Sequence, residues 1–414
     1  MDATRPRIVI VGGGFGGLEA ARALAHAPAE VLVIDARNHH TFQPLLYQVA
    51  TAALSPAEIA WPIRHLLKTQ ANARVLLAHA TGVGVAARQV LTSEGPIAYD
   101  QLVIAAGATH SYFGQDAWEA FAPGPKTLED ALAIRRRILS AFEHAELTGP
   151  DAAPALTSFV IVGGGPTGVE MAGAIAEIAR DALKNEFRHI DPAAARIVLV
   201  EAGPRILPTF PEPLAANAAR KLARYGVEVM TGAKVTEIDA AGVTLEHGRI
   251  EAACVVWGAG VKAAELIASL PVARDRAGRA LVGPDLALPG HPEIFVIGDA
   301  AAVASGDGRP VPGIAPAAKQ MGAYVSRTIA ARLAHRPAPP PFRYRHAGDL
   351  ATIGRGAAVV KVGPLQLTGL AGWLFWGFIH IYFLIGLRAR FFVAFDWLWS
   401  YVTYHRGARL ITGE

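Results

Sequence analysis

At 414 residues the chain is too long for one ordinary core, so two or three domains are expected. A formal net charge of +4 with no long basic run excludes nucleic acid as a partner. A single cysteine, Cys254, excludes an internal disulfide framework or a Cys-x-x-Cys redox pair, and its neighbours Ala253, Val255 and Val256 read as a buried strand.

The run of β-branched residues at 8–11 predicts a strand. Gly12, Gly13, Gly14, Phe15, Gly16 and Gly17 follow, and then an alanine-rich helix. The next strand, 31–34, ends in Asp35, 23 residues after Gly12. Glycines let backbone approach a pyrophosphate, the helix start offers N–H groups to it, and an acid at about this spacing meets a ribose hydroxyl. The first strand begins too early to leave room for an apolar leader, so the catalytic part is expected on the cytoplasmic side. Residues 38–48 carry two histidines and several amides, but no second cluster has ligand spacing, and no metal is expected. Ser55 and Pro56 predict a helix start, with the helix running to about Lys68. A strand at 101–104 ends in Ala105, Ala106, Gly107 and Ala108, and Pro/Gly clusters at 123–125 and 149–154 mark exchange points between domains.

The same pattern then recurs. A strand at 159–162 leads into Gly163, Gly164, Gly165, Pro166, Thr167 and Gly168. Its acid is Glu201, 38 residues after Gly163, the extra length being filled by an extended helix and its turn at 176–190. Glu201 would accept from a 2′-hydroxyl and repel a 2′-phosphate, which favours NADH over NADPH, with Arg205 close by as the contrary signal. Glu170, in the first turn of the second helix, either complements the helix dipole or faces the reacting rings. Short strands are expected around 227–231, 243–246 and 253–257. The strand 294–297 ends in Gly298 and Asp299, an acid that either caps a helix or bonds a flavin ribityl hydroxyl; a helix follows from about Ala315 to Leu333. Two such cradles in one chain predict an α/β protein with two Rossmann-like dinucleotide-binding domains, an enzyme passing electrons from one dinucleotide to another.

Beyond the proline-rich stretch 337–341 the composition changes. Residues 370–387 are nearly uncharged, Arg388 and Arg390 interrupt, 391–404 is rich in Phe, Trp and Tyr, and Arg406 and Arg409 close the segment. The first stretch falls short of the ~20 apolar residues of a spanning helix. A core helix pair is the alternative; aromatic residues flanked by arginines suit a membrane-dipping helix pair anchored at the interface.

With these residues in view, the chain resembles the type II NADH:quinone oxidoreductases over nearly its whole length. The resemblance rests on the first cradle with Asp35, on NHHTFQPLLYQVA at 38–50, GGGPTGVEMAG at 163–173, VEAGPRILP at 200–208, VVWGAGVKA at 255–263, IFVIGDAA at 294–301 and APAAKQMGAY at 315–324. It implies FAD, held non-covalently, at Gly12, Gly13, Gly14, Phe15, Gly16, Gly17, Asp35, Ala36, Asn38, His39, Gln43, Ala106, Gly107, Asp299 and Ala315. It implies NADH as substrate at Gly163, Gly165, Pro166, Thr167, Gly168, Glu201 and Gly260. Catalytic roles fall to Glu170 and to Gln320, where Met321 replaces a second glutamine common in the family. The implied domains are FAD-binding at 1–112 and 283–336, NADH-binding at 113–282, and membrane-associating at 342–414. The implied partners are a membrane quinone (ubiquinone or menaquinone), the bilayer surface and a second copy of the chain through the C-terminal region. The implied place is the cytoplasmic face of the inner (cell) membrane, peripherally bound, with no proton pumping. A sulfide:quinone oxidoreductase needs a cysteine pair that this chain lacks; a soluble FAD-dependent NADH oxidase or ferredoxin-type reductase has no use for the aromatic tail. An NADH-sensing flavoprotein is the non-enzymatic alternative.

Overall fold

The structure, a computed structural model, describes residues 5–305, 308–403 and 407–412; Tyr404 and Arg406 of the tail lie outside them. It divides into two compact units, Met1–His40 with Ala60–Thr109 and Val261–His346, and Thr41–Ile59 with His110–Gly260 and Ala347–Glu414.

In the first unit Arg7–Val11 lies at the centre of a six-stranded sheet, between Glu30–Asp35 and Gln101–Ile104. These pairs are parallel, with Ile8 opposite both Val31 and Gln101. The central strand is therefore where the strand order reverses, the point at which doubly wound sheets open a crevice for ligand. Its residues Ile8, Val9 and Ile10 are fully buried, as continuous apolar runs in parallel sheets require. The helix Phe15–Ala23 packs on the long helix Ala315–Leu333. Small residues bring the two together: a side chain at Gly322 would overlap the Gly16 carbonyl oxygen, and the Ser326 hydroxyl donates to Ala20 O at 3.0 Å.

In the second unit Ser158–Val162 is the inner strand of a four-stranded parallel sheet, flanked by Arg196–Glu201 and Cys254–Trp257. Cys254 is a core residue there, its thiol pushed up to about 12 by burial. The helix Pro166–Glu177 runs on into a π-helical turn, Ile178–Ala182, and lies against the strand Asp349–Gly354 of a three-stranded antiparallel sheet. Gly173 makes this approach possible, since a side chain there would overlap the Ile353 carbonyl oxygen.

The division of the chain follows packing. Residues 41–59, expected with the first cradle, belong to the second unit because Leu46–Ala50 packs on the helices Leu128–Thr148 and Pro166–Glu177. Residues 261–282 fall in the first unit, and 347–414 in the second. Two element expectations need correction. The helix expected from Ser55 to Lys68 is two short helices, Pro56–Ile59 and Ile63–Leu67, parted by the extended Ala60–Pro62. Pro62 lacks the N–H a continuous helix needs and disfavours helical geometry at Trp61. In the tail, the break between the helices Gly369–Phe383 and Leu387–Thr403 falls at 384–386, where Gly386 has φ 85°, and both interrupting arginines lie inside the second helix.

The tail helices bury Trp376, Ala389 and Val393, with Leu384 buried in the break between them, and expose two stripes, Leu374–Phe378–Tyr382 and Phe391–Phe395–Trp399–Val402, each at helical spacing. Among the described residues no helix is long and apolar enough to cross a membrane.

Candidate functional site

Both cradles are built alike. Gly12 and Gly163 take φ 102° and 108°, and a side chain on either would run into the backbone at Ala105 or at Gly258–Ala259. A side chain on Gly17 would overlap the Gly12 carbonyl oxygen, and one on Gly168 the Gly163 carbonyl oxygen. Each helix therefore starts hard against its own strand end. The acids do the same work in both: Asp35 accepts from the Gly13 N–H at 2.6 Å and the Arg37 N–H at 2.7 Å, flanking Ala36. Glu201 accepts from the N–H groups of Gly164 and Gly203, each at 2.6 Å. Nothing stands within 4 Å of where a side chain on Gly14 or Gly165 would go, so each helix start faces open space. Such a start, with glycine in place of side chains, fits a pyrophosphate. Arg205 donates to the carbonyls of Phe210 and Pro208, which turns its guanidinium into the backbone rather than towards Glu201.

Around the first cradle, Asn38 Oδ1 bonds His39 Nδ1 at 2.9 Å. His40, which the sequence did not set apart from His39, is buried and donates from Nδ1 to the Gly13 carbonyl at 2.9 Å, with the Phe15 ring edge-on to it. Burial pushes its pKa down to about 4, so the ring is neutral and Nε2 bare; the buried Nε2 atoms of His39 and His40 have no partner. Gly107 takes φ 72°, Asp299 sits in a 3₁₀ turn beside Gly313, and Ala315 starts the long helix. Gln320 spends its amide on Arg345, donating to its carbonyl and accepting from its N–H, both at 2.9 Å. Gln43 lies in the second unit and donates to Lys126 O at 3.3 Å, while Gly260, also there, faces the Phe113 ring. Pro166 and Thr167 occupy the first turn of the second cradle helix.

The second unit also holds an open cleft, lined by Glu170, Glu177, Asp181, Gln48, Arg355 and Trp376 among others. Glu170 receives a long bond, from the Thr352 N–H at 3.4 Å, and burial pushes its pKa up to about 8. A carboxyl in that state carries its proton at neutral pH. Trp397 donates to Gln48 Oε1 at 2.8 Å and stacks on Trp376, whose buried indole N–H has no partner. His380 donates to the Trp376 carbonyl at 2.7 Å and is kept neutral, at about 4, by burial. The sequence pointed to Glu170 but not to Glu177 or Asp181, although seven and eleven residues further on they share its helix face. Gln48, Trp376 and Trp397 carry no local signal; only tertiary packing gathers them. Among the described residues no group of His, Cys, Asp and Glu is placed to hold a metal ion.

Residues 6–322 match the family described as pyridine nucleotide-disulphide oxidoreductase, and 346–403 match the NDH2 C-terminal domain. A type II NADH:quinone oxidoreductase of Mycobacterium tuberculosis is 45% identical, over 99% of this chain and 91% of its own length. A second from the same organism is 42% identical, over 99% and 90%. The solved structure of NDH2 from Plasmodium falciparum in complex with NADH has the same fold, with a TM-score of 0.87 at 21% identity, covering 99% of this chain and all of that one.

Proposed function

We propose a reaction for this chain from one premise: it belongs to the type II NADH:quinone oxidoreductases, within the pyridine nucleotide-disulphide oxidoreductase family. It is a flavoenzyme that oxidises NADH and reduces a quinone, in association with a membrane. FAD, when bound, would supply the two-electron redox chemistry that links NADH oxidation to quinone reduction. The chain's own residues bind and orient the reactants and hold a proton.

The first cradle, with Asp35 at the ribose position, would hold FAD, Asp299 and the N-terminus of the Ala315–Leu333 helix completing its surroundings. Glycine at 14, open on its ligand side, and a neutral histidine at 40 suit a large uncharged ring system joined to a pyrophosphate. The second cradle, where Glu201 sets the charge, would hold NADH and disfavour a 2′-phosphate. The Glu170-lined cleft would take the quinone head. Glu170 holds a proton at its carboxyl oxygen at neutral pH and can give it to a quinone oxygen as that oxygen gains electrons.

The cradles would face the cytoplasm, where NADH is generated, with the exposed aromatic stripes in the membrane interface. The C-terminal region offers the same apolar surface for pairing of two chains. The observation that carries the reading is the doubled cradle with matched acid clamps, two pockets for two dinucleotides in one polypeptide.

Acceptor competition tests it. Purified enzyme given NADH should turn over with a short-chain quinone and keep doing so without oxygen. Turnover that demands oxygen or a ferredoxin, with quinone inert, would refute it.

A further inference from the structure

Glu170 is not alone on its helix. Ala174, Glu177 and Asp181 follow at intervals of four, three and four residues, and all four line the same cleft. That spacing keeps them on one helix face. The face also runs from inside to outside: Glu170 and Glu177 are half-buried and Asp181 is exposed. The rise of an α-helix puts Glu177 about 10 Å along from Glu170, and Asp181 lies further on, in the π-helical turn. Of the cleft-lining residues on this helix, Ala174 alone lies between Glu170 and Glu177, and its small side chain leaves the step between the two carboxyls to be bridged by water.

Two further features distinguish this row from a solvated helix face. The Arg355 N–H donates to Glu177 Oε1 and fixes that carboxylate at the cleft wall, while Arg355 itself reaches the Ser400 carbonyl and lies over the Tyr401 ring. The Trp376 indole N–H, on a residue 1% exposed that lines the same cleft, is buried without a partner, a donor that a water or a quinone oxygen would satisfy. Tyr225 faces the same stretch: burial and the charges of Glu177 and Asp181 push its pKa up, Arg355 opposes them, and its hydroxyl donates to the Arg355 carbonyl at 2.9 Å.

We propose that Asp181, Glu177 and Glu170 form a proton-delivery row that carries a proton from water to the quinone through the cleft. This rests on the reaction proposed above. NADH and a quinone become NAD⁺ and a quinol with the uptake of one proton from water. The hydride of NADH supplies two electrons and one hydrogen nucleus, and the quinone's second new O–H bond needs the other. Asp181 takes that proton from solvent, Glu177 passes it across the water over Ala174, and the Glu170 O–H bond breaks as the quinone O–H bond forms. Each carboxyl ends in its starting protonation state. Glu177 and Asp181 touch no substrate; they act through Glu170.

The test uses the full-length enzyme with FAD bound, as wild type and as Glu177→Gln, Asp181→Asn and Glu177→Asp. Two half-reactions are followed by flavin absorbance: bleaching by NADH without oxygen, then recovery with a short-chain quinone in H₂O and D₂O. The row predicts unchanged bleaching in all variants. It predicts recovery slowed about tenfold or more in Glu177→Gln and Asp181→Asn, with a larger solvent isotope effect than wild type. Glu177→Asp should restore much of the rate, and added formate or acetate should speed Asp181→Asn. Recovery at the wild-type rate with an unaltered isotope effect overturns the proposal. So does a slow recovery that neither the conservative variant nor added acid improves, because that marks a structural loss. If NADH fails to bleach even wild-type flavin, the reaction itself is wrong and the row falls with it.

Discussion

Glu170 shows how burial alone can prepare a side chain for proton chemistry. Its bond from the Thr352 N–H is long and weak, and desolvation is what drives its pKa to about 8. The folded carboxyl is protonated below about 8 and loses its proton above, so quinone reduction should decline as pH rises through that value. In Glu170→Gln the same rate should be low and flat across the range, with NADH still bleaching the flavin. A wild-type rate in that variant would remove the residue from the chemistry. The sequence made Asp35 and Glu201 legible, because each ends the strand that follows a glycine cradle and its helix, and Glu170, because it comes two residues after the second cradle. It could not reveal that Asp35 and Glu201 already clamp two backbone N–H groups apiece. Nor could it separate His39 from His40, since neighbouring residues of one type differ only in which way the strand turns them. Asn72 was illegible for a similar reason: its amide bonds the carbonyls of Leu24, Ala27 and Ala29, beyond the end of the first cradle helix and distant in sequence.

The elements most readable from the sequence were those whose signals are local. Strand, glycine run and helix follow one another within a few residues in both cradles, and the bounds Ala315–Leu333 are those expected. Two substitutions separate the cradles' roles. Gly17→Ala forces a methyl against the Gly12 carbonyl and should yield protein poor in FAD. Gly168→Ala makes the same clash at Gly163 and should leave FAD bound while NADH no longer reduces it. Loss of FAD from both variants alike would mean that the cradles are not divided in this way. The misread elements failed where one residue outweighed the pattern around it, Pro62 inside an otherwise helical stretch and Gly386 in an apolar one. A second device was invisible because it joins distant elements. Glu58, in the first of the two short helices, hydrogen-bonds Asp396 of the last tail helix, and burial together with that carboxyl pushes Glu58 up to about 8. The folded chain holds this proton where the unfolded chain has released it. Stability should therefore fall as pH rises from the ordinary 4.5 towards about 8. Thermal unfolding of Glu58→Gln should show a shallower loss than wild type between those limits; parallel slopes would show that the pair does not matter.

On the reading proposed above, nucleotide chemistry falls to the two strand–cradle–helix units and membrane contact to the end of the chain. The tail was legible as an apolar helix pair, while its exposed stripes needed the folded helices to show which aromatics turn outward. Replacing Phe378, Phe391, Phe395 and Trp399 by serine changes exposed positions only and should lower binding to anionic vesicles by at least tenfold, at about 1.4 kcal/mol per decade. Undiminished binding would place the contact elsewhere. A chain cut near Leu350 would be a poorer probe, because it removes strands that pack against the second cradle helix. The decisive experiment is an absorbance titration of the purified protein, first with NADH and then with a short-chain quinone, in the absence of oxygen. A yellow protein whose flavin bands bleach with NADH and return with quinone is the expected result. A colourless protein that takes up no FAD, or a flavin that NADH leaves unchanged, would contradict it.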